Sequence, residues 1–273
     1  MNDFLQLCKK KLRNAGVENA YKEIDWYLEQ TTQFSQTQIL SNKISINNSM
    51  KSSLLNFIER RIKKEPFQYI INSAPFYGRN IYVNPDVLIP RPETETIINI
   101  LKSENKIYDN ALDIGTGSGN LAITLSLEKI ANNIIGLDKS TKALKIAQKN
   151  SDTYNIQNIK FFSHDFIVDT TQKKFDLIIS NPPYISREEY KQLDSSIKDF
   201  EPINALTDFQ DGLLFYKKIC QTLPDILNQD GTVLLEIGLE KNKELISQIF
   251  TNYSTRWYKD LNGSHRVIKI RNV

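Results

Sequence analysis

The sequence predicts an α/β fold with a mainly parallel sheet, a C-terminal antiparallel hairpin and a small N-terminal helical domain. Between about residues 110 and 251, short apolar runs alternate with segments of helical periodicity, as expected for βαβ units. The last residues instead form two strand-like runs around Asn262-Gly263, which is typical of a hairpin. Residues 1–72 contain only helical patterns, so we expect them to fold as a separate unit.

The composition is that of an ordinary globular protein. The 273 residues are 40% hydrophobic and 25% charged, and 35 basic against 32 acidic residues leave a net charge of +3. This near balance argues against a protein whose main role is to bind a long phosphate backbone. Two cysteines and two histidines offer neither a disulfide framework nor metal-ligand spacing. No apolar run reaches transmembrane length and the N-terminus does not resemble a signal peptide, so we expect a cytoplasmic protein without a membrane partner.

The N-terminal helical pattern is clearest in two stretches. In "SMKSSLLNFIERRIKK", apolar side chains recur at helical spacing behind a predicted cap at Ser49. A second predicted stripe consists of Tyr21, Ile24, Tyr27 and Leu28. Basic clusters lie at residues 9–13 and 60–64; solvated helix faces explain them most simply, and a binding patch is the alternative.

A junction at residues 73–95 separates this helical domain from the rest. The stretch "APFYGRNIYV" predicts a hairpin around Gly78-Arg79-Asn80. Pro92 suits the first turn of a helix, and Glu93 and Glu95 suit its dipole.

The alternating domain then occupies residues 96–273. Its predicted strands are 110–114, 133–138, 158–163, 175–180 and 231–237. Its predicted helices lie at about 119–129, 140–152, 212–228 and 240–251.

The stretch "ALDIGTGSGN" is a predicted strand followed by three closely spaced glycines. Glycines let the backbone turn tightly and approach a ligand, and the next predicted strand ends at Asp138, whose carboxylate suits ribose hydroxyls; a plain glycine turn is the alternative. A dinucleotide loop has the spacing G-x-G-x-x-G, whereas the third glycine here comes one residue earlier. The shorter spacing resembles the S-adenosylmethionine loop of class I methyltransferases, a Rossmann-like fold. The residues predicted to hold that cofactor are Asp113, Gly115, Thr116, Gly117, Ser118, Gly119 and Asp138.

The third strand of this series ends in "SHDF". Asp165 could accept a hydrogen bond from an adenine amino group, and Phe166 could stack on the ring. A solvent-facing turn aspartate and a core phenylalanine are equally reasonable interpretations. We expect His164 and His265 to be loop or core residues rather than catalysts.

The fourth strand ends in Asn181-Pro182-Pro183-Tyr184, at the edge where ligands of parallel sheets bind. The side-chain oxygen of Asn181 and the carbonyl of Pro182 can accept hydrogen bonds from a substrate NH2 group, and the prolines fix the loop. Tyr184 can stack on a planar conjugated group. The four residues therefore predict a clamp for an amide or exocyclic amine that is methylated on nitrogen, with Asn181 also facing the cofactor.

Further motifs resemble one family in particular, the peptide chain release factor glutamine methyltransferases. They occur in the family's order, as "EPFQYI" at 65–70, "FYG" at 76–78, "VLIPRPETE" at 87–95, "DIGTGSGN", "SNPPYI" and "FEPINAL" at 200–206. The resemblance implies methylation of the glutamine side-chain amide in the Gly-Gly-Gln loop of class 1 release factors, with S-adenosylmethionine as methyl donor. We also expect residues 1–72 to dock the release factor, because a second contact would raise the concentration of its loop at the site and this segment is the one free to make it, with basic faces at Lys9-Lys10-Lys11 and Arg60-Arg61.

Three alternative functions are compatible with part of the sequence. A DNA adenine-N6 methyltransferase would share the clamp but needs base flipping and usually a target-recognition region, for which the chain has no spare segment beyond its small helical domain. An oxidoreductase is opposed by the glycine spacing, and a non-catalytic binding module by the intact clamp. We therefore expect no direct nucleic-acid partner and a monomer. Glu201 is either a cap on a loop over the site or loop punctuation beside Pro202, and Arg91 either orders the junction or meets the release factor.

Overall fold

The computed structural model describes residues 3–41, 43–170, 173–238 and 240–273, with only the backbone of Lys241. The α-helices, in chain order, are α1 Asp3–Asn14, α2 Ala20–Thr31, α3 Gln36–Leu40, α4 Asn48–Ile62, α5 Phe67–Ile71, α6 Glu95–Ser103, α7 Asn120–Leu127, α8 Thr141–Thr153, α9 Arg187–Gln192, α10 Ser195–Lys198, α11 Ile203–Leu206, α12 Leu214–Ile226 and α13 Lys243–Ile249. Short 3-10 helices cover Pro92–Thr94 and Glu240–Asn242. The strands are β1 Ala74–Phe76, β2 Arg79–Ile81, β3 Tyr108–Ile114, β4 Ala131–Asp138, β5 Ile159–Ser163, β6 Phe175–Ser180, β7 Leu227–Glu236, β8 Ser254–Lys259 and β9 His265–Arg271.

The chain forms two compact units. The helical unit comprises the residues up to Ser73 together with Asp194–Phe200. The sheet unit comprises Ala74–Leu193 and Glu201–Val273. No helix among the described residues is long and apolar enough to cross a membrane.

The helical unit buries one apolar stripe from each of its longer helices. The largest fully buried side chains of this core are Leu12, Ile24, Leu28, Leu54, Phe57 and Ile58. Two details of the sequence prediction are wrong. The cap of α4 is Asn47, whose side chain accepts a hydrogen bond from the Met50 amide at 2.9 Å, so the helix begins before Ser49. On α2 the buried stripe begins at Ala20, which leaves Tyr21 44% exposed.

Ion pairs inside the helical unit change the interpretation of its basic clusters. Arg61 donates two hydrogen bonds, of 2.6 and 2.8 Å, to the Glu23 carboxylate, and its side chain is only 14% exposed. Arg60 pairs with Glu65, and Lys9 lies 2.7 Å from an oxygen of Asp25. Arg61 is therefore neither a solvated side chain nor a cation available to a partner. The predicted basic face at Arg60-Arg61 is a set of structural contacts.

The predicted hairpin after the helical unit is confirmed as β1 paired antiparallel with β2, but its turn lies earlier than predicted, because Arg79 and Asn80 already belong to β2. Its turn residues Tyr77 and Gly78 have φ of 48° and 71°. Positive φ at both central positions is the geometry that matches the twist of a two-residue hairpin. The amide of Tyr77 donates to the Glu95 carboxylate at 2.7 Å, which joins the turn to the start of α6.

The main sheet has the strand order β5-β4-β3-β6-β7-β9-β8, in which β9 runs in the direction opposite to the other six strands. This confirms the predicted parallel sheet with its C-terminal antiparallel hairpin. β7 begins at Leu227, earlier than predicted, because the chain passes directly from α12 into the strand. The short helices α9 and α11 were not predicted, since four to six residues carry too little periodicity.

The register of the sheet places the ends of three strands side by side. Ile114 of β3 pairs with Leu137 of β4 on one side and with Ser180 of β6 on the other. The residues that follow these strands therefore meet at one edge, as expected for ligand sites of parallel sheets.

Candidate active site

The loop after β3 is shaped by its glycines in two different ways. Gly115, Gly117 and Gly119 all have positive φ, of 72°, 54° and 80°. A Cβ at Gly115 would meet nothing within 4 Å, and one at Gly117 only a backbone oxygen at 4.0 Å. A Cβ at Gly119 would lie 3.1 Å from the Cβ of Ala147 in α8. The first two glycines therefore border open space, while the third allows close packing of two helices.

Three of the predicted cofactor residues lie beneath this loop. Asp113 is 1% exposed and accepts a 2.6 Å hydrogen bond from the Thr116 hydroxyl. Ser118 is also buried, with its hydroxyl bonded to the Asn120 side chain and its carbonyl to Asn150. These side chains hold the loop's shape rather than facing the cavity described below.

Burial raises the pKa of Asp113 to about 7, and the nearby Asp138 adds to the rise, while bonds from Thr116 and the Ala122 backbone oppose it. The folded protein therefore holds this proton more tightly than the unfolded chain, whose aspartates titrate near 4. Unfolding releases the proton between about pH 4 and 7, so the contribution of Asp113 to the free energy of unfolding falls as the pH rises through that window.

We expect the variant Asp113→Asn to lack this pH dependence. The free energy of unfolding of the parent, minus that of the variant, should decrease from pH 5 to pH 7.5 by up to about 1.4 kcal/mol per pH unit. Urea titrations of both proteins without ligand measure it. A difference that stays constant or grows with pH would contradict the assignment.

Asp138, at the end of β4, faces the loop and a cavity. One carboxylate oxygen accepts from the Gly117 amide at 3.0 Å and the other from the Ser140 amide at 2.8 Å. Burial raises the pKa of Asp138 above its usual value, and the hydrogen bonds from these two amides oppose that rise only in part. The carboxylate thus both orders the glycine loop and presents a polar edge to the space beside it.

The cavity at this edge has a volume of about 660 Å³, within the range of small-molecule sites. The predicted residues that line it are Gly115, Gly117, Asp138, Asp165, Phe166, Asn181 and Pro183. The predicted residues that are not among its lining are Asp113, Thr116, Ser118, Gly119, Pro182 and Tyr184. The open space at two glycines beside the Asp138 carboxylate fits a nucleoside ligand whose ribose hydroxyls need an acceptor.

The turn after β5 contributes a second wall. Asp165 is a turn residue, since one of its side-chain oxygens accepts from the Ile167 amide at 3.1 Å. Phe166 is only 5% exposed and belongs to the sheet unit's core, yet it also lines the cavity. His164 lines the same cavity, 3.7 Å from an Asp169 oxygen.

The residues after β6 are held by contacts from distant parts of the chain. The side-chain NH2 of Asn181 donates to the Thr94 hydroxyl at 3.1 Å. Pro182 and Pro183 are buried. The Tyr184 hydroxyl lies 3.4 Å from a carboxylate oxygen of Glu236, and burial raises the pKa of Tyr184 well above its usual value.

Glycines make room for the Tyr184 residue. A Cβ at Gly238 would lie 2.5 Å from the Tyr184 ring, so a larger residue there would displace the aromatic side chain. A Cβ at Gly212 would lie 2.3 Å from the Tyr184 carbonyl oxygen. Thr94, Glu236 and Gly238 were missed by sequence reasoning. Thr94 occurs within a quoted motif and Glu236 within a predicted strand, but no spacing assigns them a partner.

A buried ion pair fixes two loops whose neighbouring residues line the cavity. The Glu201 side chain is 2% exposed and accepts from the Arg91 guanidinium and, at 3.2 Å, from the Ile89 amide. Val87 and Leu88, which precede Ile89 in the chain, line the cavity. Pro202, which follows Glu201, lines it too. Arg91 therefore orders the junction, and Glu201 fastens its own loop to it.

The variant Glu201→Gln should lower the free energy of unfolding by about 1–3 kcal/mol, because a buried charged hydrogen bond is lost. Chemical denaturation measures the change. The matched control is Glu188→Gln, a glutamate whose side chain is 75% exposed and which pairs only on the surface. Equal stability of the two variants would contradict a structural role for the pair.

Comparison with known proteins agrees with this geometry. The family model described as "Methyltransferase small domain" matches residues 92–198, and the "PrmC N-terminal domain" matches residues 3–71. A solved methyltransferase from Pyrococcus furiosus superposes with a TM-score of 0.54 at 19% identity, covering 83% of this chain and 100% of that one. The fold and the site at the sheet edge therefore define a class I methyltransferase.

Similar proteins show which family within this class the chain belongs to. The chain is 38% identical over 222 residues to the release factor glutamine methyltransferase of Bacillus subtilis (strain 168). The aligned region covers 77% of each protein. The chain is 35% identical over 272 residues to the release factor glutamine methyltransferase of Buchnera aphidicola subsp. Schizaphis graminum, and that alignment covers 98% of this chain and 97% of the relative. The chain belongs to the release factor glutamine methyltransferase family.

Proposed function

We propose that this chain methylates the side-chain amide nitrogen of the glutamine in the Gly-Gly-Gln motif of class 1 peptide chain release factors, with S-adenosylmethionine as methyl donor. The observation that carries the proposal is the position of Asn181, which lines the cavity beside the end of β6 while its NH2 group is bonded to Thr94. That bond turns the amide oxygen away from Thr94, where it can accept from a substrate amide. The relatives are named release factor glutamine methyltransferases, which supports a release factor as the substrate.

The predicted site residues form two sets, one that would bind the cofactor and one that would bind the glutamine. Asp138 would accept from the ribose hydroxyls, Gly115 and Gly117 admit the ligand to the backbone, and Asp165 and Phe166 border the adenine. When bound, S-adenosylmethionine supplies an electrophilic methyl group on a sulfonium. Asn181 and the residues after it form the other set, which receives the glutamine.

The protein's contribution to the reaction is mainly positioning. An amide nitrogen is a weak nucleophile because its lone pair is delocalised into the carbonyl. The Asn181 side-chain oxygen and the Pro182 carbonyl would accept both N–H groups and orient the nitrogen, and the buried Pro182 and Pro183 hold these oxygens rigidly. Correct orientation can supply about 7–11 kcal/mol at best. Since the Tyr184 hydroxyl is directed to Glu236, the ring is the part of Tyr184 that would contact the glutamine.

The test is methyl transfer from labelled S-adenosylmethionine to an intact class 1 release factor and to adenine-containing duplex DNA. We expect transfer to the release factor, abolished when its Gly-Gly-Gln glutamine is replaced by alanine. Transfer to DNA alone would favour the adenine-N6 methyltransferase instead. Calorimetry that compares the binding of S-adenosylmethionine with the binding of NAD tests the oxidoreductase alternative, which requires that NAD binds.

We further propose that the helical unit docks the body of the release factor. Because a flexible loop loses entropy when it is ordered, a second contact would raise its effective concentration at the site. Of the predicted basic faces, Lys10 and Lys11 are the exposed members, since Lys9, Arg60 and Arg61 form ion pairs within the unit.

The double variant Lys10→Glu, Lys11→Glu should lower kcat/KM for the intact release factor by about 3- to 10-fold, as surface charge pairs contribute up to about 1 kcal/mol each. It should leave kcat/KM for a short Gly-Gly-Gln peptide unchanged. The control, Lys173→Glu with Lys174→Glu, makes the same charge change at exposed lysines of the sheet unit. Equal effects of the two pairs, or an equal loss on the peptide, would show that docking lies elsewhere.

A further inference from the structure

Glu236 is a buried acid that the mechanism above leaves unused. It is the last residue of β7, next to β6, where Leu235 pairs with Ser180 and so places Glu236 beside Asn181. The residue is 1% exposed, and one of its carboxylate oxygens receives the Tyr184 hydroxyl at 3.4 Å. Among the residues that the structure describes, its Oε2 is buried without a partner at hydrogen-bonding geometry. A buried carboxylate is costly to stability, so an apolar residue would serve the fold better.

Thr94 lies between this acid and the substrate clamp. It is 1% exposed and comes from the 3-10 helix Pro92–Thr94, far from β6 and β7 in sequence. Its hydroxyl oxygen accepts from the Asn181 NH2 group at 3.1 Å. Burial raises the pKa of Glu236 to about 7, and the Thr94 hydroxyl, Arg266 and Tyr184 oppose that rise.

The direction of these bonds is fixed by what each group can do. A hydroxyl has one hydrogen and two lone pairs, and an ionised carboxylate can only accept. The Asn181 side-chain NH2 group donates to a lone pair of the Thr94 oxygen at 3.1 Å, so Thr94 holds the nitrogen end of this amide. The Tyr184 hydroxyl donates to the Glu236 carboxylate at 3.4 Å. The Asn181 oxygen is consequently left for the other side.

We propose that Thr94 is a positioning residue that sets which end of the Asn181 amide faces the substrate, and that Glu236 is a positioning residue that holds the Tyr184 hydroxyl. This inference rests on the proposed function, because the orientation matters only if Asn181 accepts a substrate N–H. Neither residue touches the reacting atoms.

The first test is Thr94→Val, assayed at pH 8, where Glu236 is mostly ionised. We expect kcat for the release factor to fall by about 10- to 100-fold, while the Kd for S-adenosylmethionine and the KM for the release factor stay within about twofold. Thr94→Ser, which keeps the hydroxyl, should recover most of the activity, and Glu236→Gln should lose it. The matched control is Thr232→Val, the same change at a fully buried threonine in the middle of β7.

The second test asks whether Thr94 acts through Asn181. In a double-mutant cycle, Thr94→Val should add little to Asn181→Ala, because the group that it orients is already absent. Without any ligand, the Asn181 side-chain NH2 resonances, identified by their loss in Asn181→Ala, should shift in Thr94→Val and not in Thr232→Val.

Each remaining outcome has a definite meaning. Additive losses in the cycle, or a Thr94→Val that weakens cofactor binding as much as turnover, would overturn the positioning role. A Thr94→Ser as inactive as Thr94→Val would also overturn it, because the hydroxyl would then be irrelevant. If the parent enzyme transfers no methyl group to the release factor, the proposed function fails and this inference fails with it.

Discussion

Replacing Asn181 with alanine is expected to lower kcat for release factor methylation by about 10²–10³-fold, comparable to the loss of one preorganised hydrogen-bonding group in other active sites. The side chain lies at the cavity wall with its nitrogen bonded to Thr94, so its oxygen is the part available to the substrate. If Asn181 orients the substrate, as proposed, the Kd for S-adenosylmethionine should change by less than about fivefold.

Single-turnover kinetics at saturating cofactor and calorimetry separate these two effects. Asn204→Ala is the matched control, because Asn204 lines the same cavity but lies in α11 rather than at the end of β6. An Asn181 variant that keeps its turnover and loses cofactor affinity would reassign this residue to the cofactor set alone.

Local sequence patterns were sufficient to predict the sheet and several residues that line the cavity. Alternating strands and helices predicted the order of the elements, and the glycine spacing located the loop after β3. Glycines reveal backbone conformation, but they do not reveal where the side chains between them point. Thr116 and Ser118 are therefore within the predicted motif, yet their hydroxyls bond to Asp113 and Asn120 beneath the loop.

Contacts between distant segments could not be predicted in the same way. Thr94 and Asn181 are 87 residues apart, and Arg61 and Glu23 are 38 apart. A single sequence gives no register between such segments until the fold brings them together. The basic clusters show the consequence: charge density suggested solvated faces or a docking patch, while the partner that neutralises Arg61 lies on another helix.

Burial adds a second kind of information that composition lacks. The motif around Glu236 is an apolar strand that ends in an acid, a pattern equally typical of a residue at the solvent-exposed end of a strand. Only the fold shows that the carboxylate is 1% exposed and lies against Tyr184.

The second large effect is expected at Asp138. Asp138→Ala should weaken binding of S-adenosylmethionine by about 10- to 100-fold or more, because hydrogen bonds to a charged group contribute about 1.5–3 kcal/mol each. The structure adds a second reason, since the same carboxylate holds the amides of Gly117 and Ser140 and so keeps the glycine loop ready for the ligand. Asp138→Asn should lose less, because its remaining oxygen can still accept one of these bonds.

Calorimetry on the parent, both Asp138 variants and Asp86→Asn tests this expectation. Asp86 is the matched control, because it is another carboxylate that lines the cavity and it lies near Lys142 rather than at the glycine loop. At saturating cofactor, turnover of the Asp138 variants should approach that of the parent, since the substrate clamp is untouched. If Asp138→Ala binds S-adenosylmethionine as tightly as the parent, the carboxylate at the end of β4 orders the loop but does not hold the ribose.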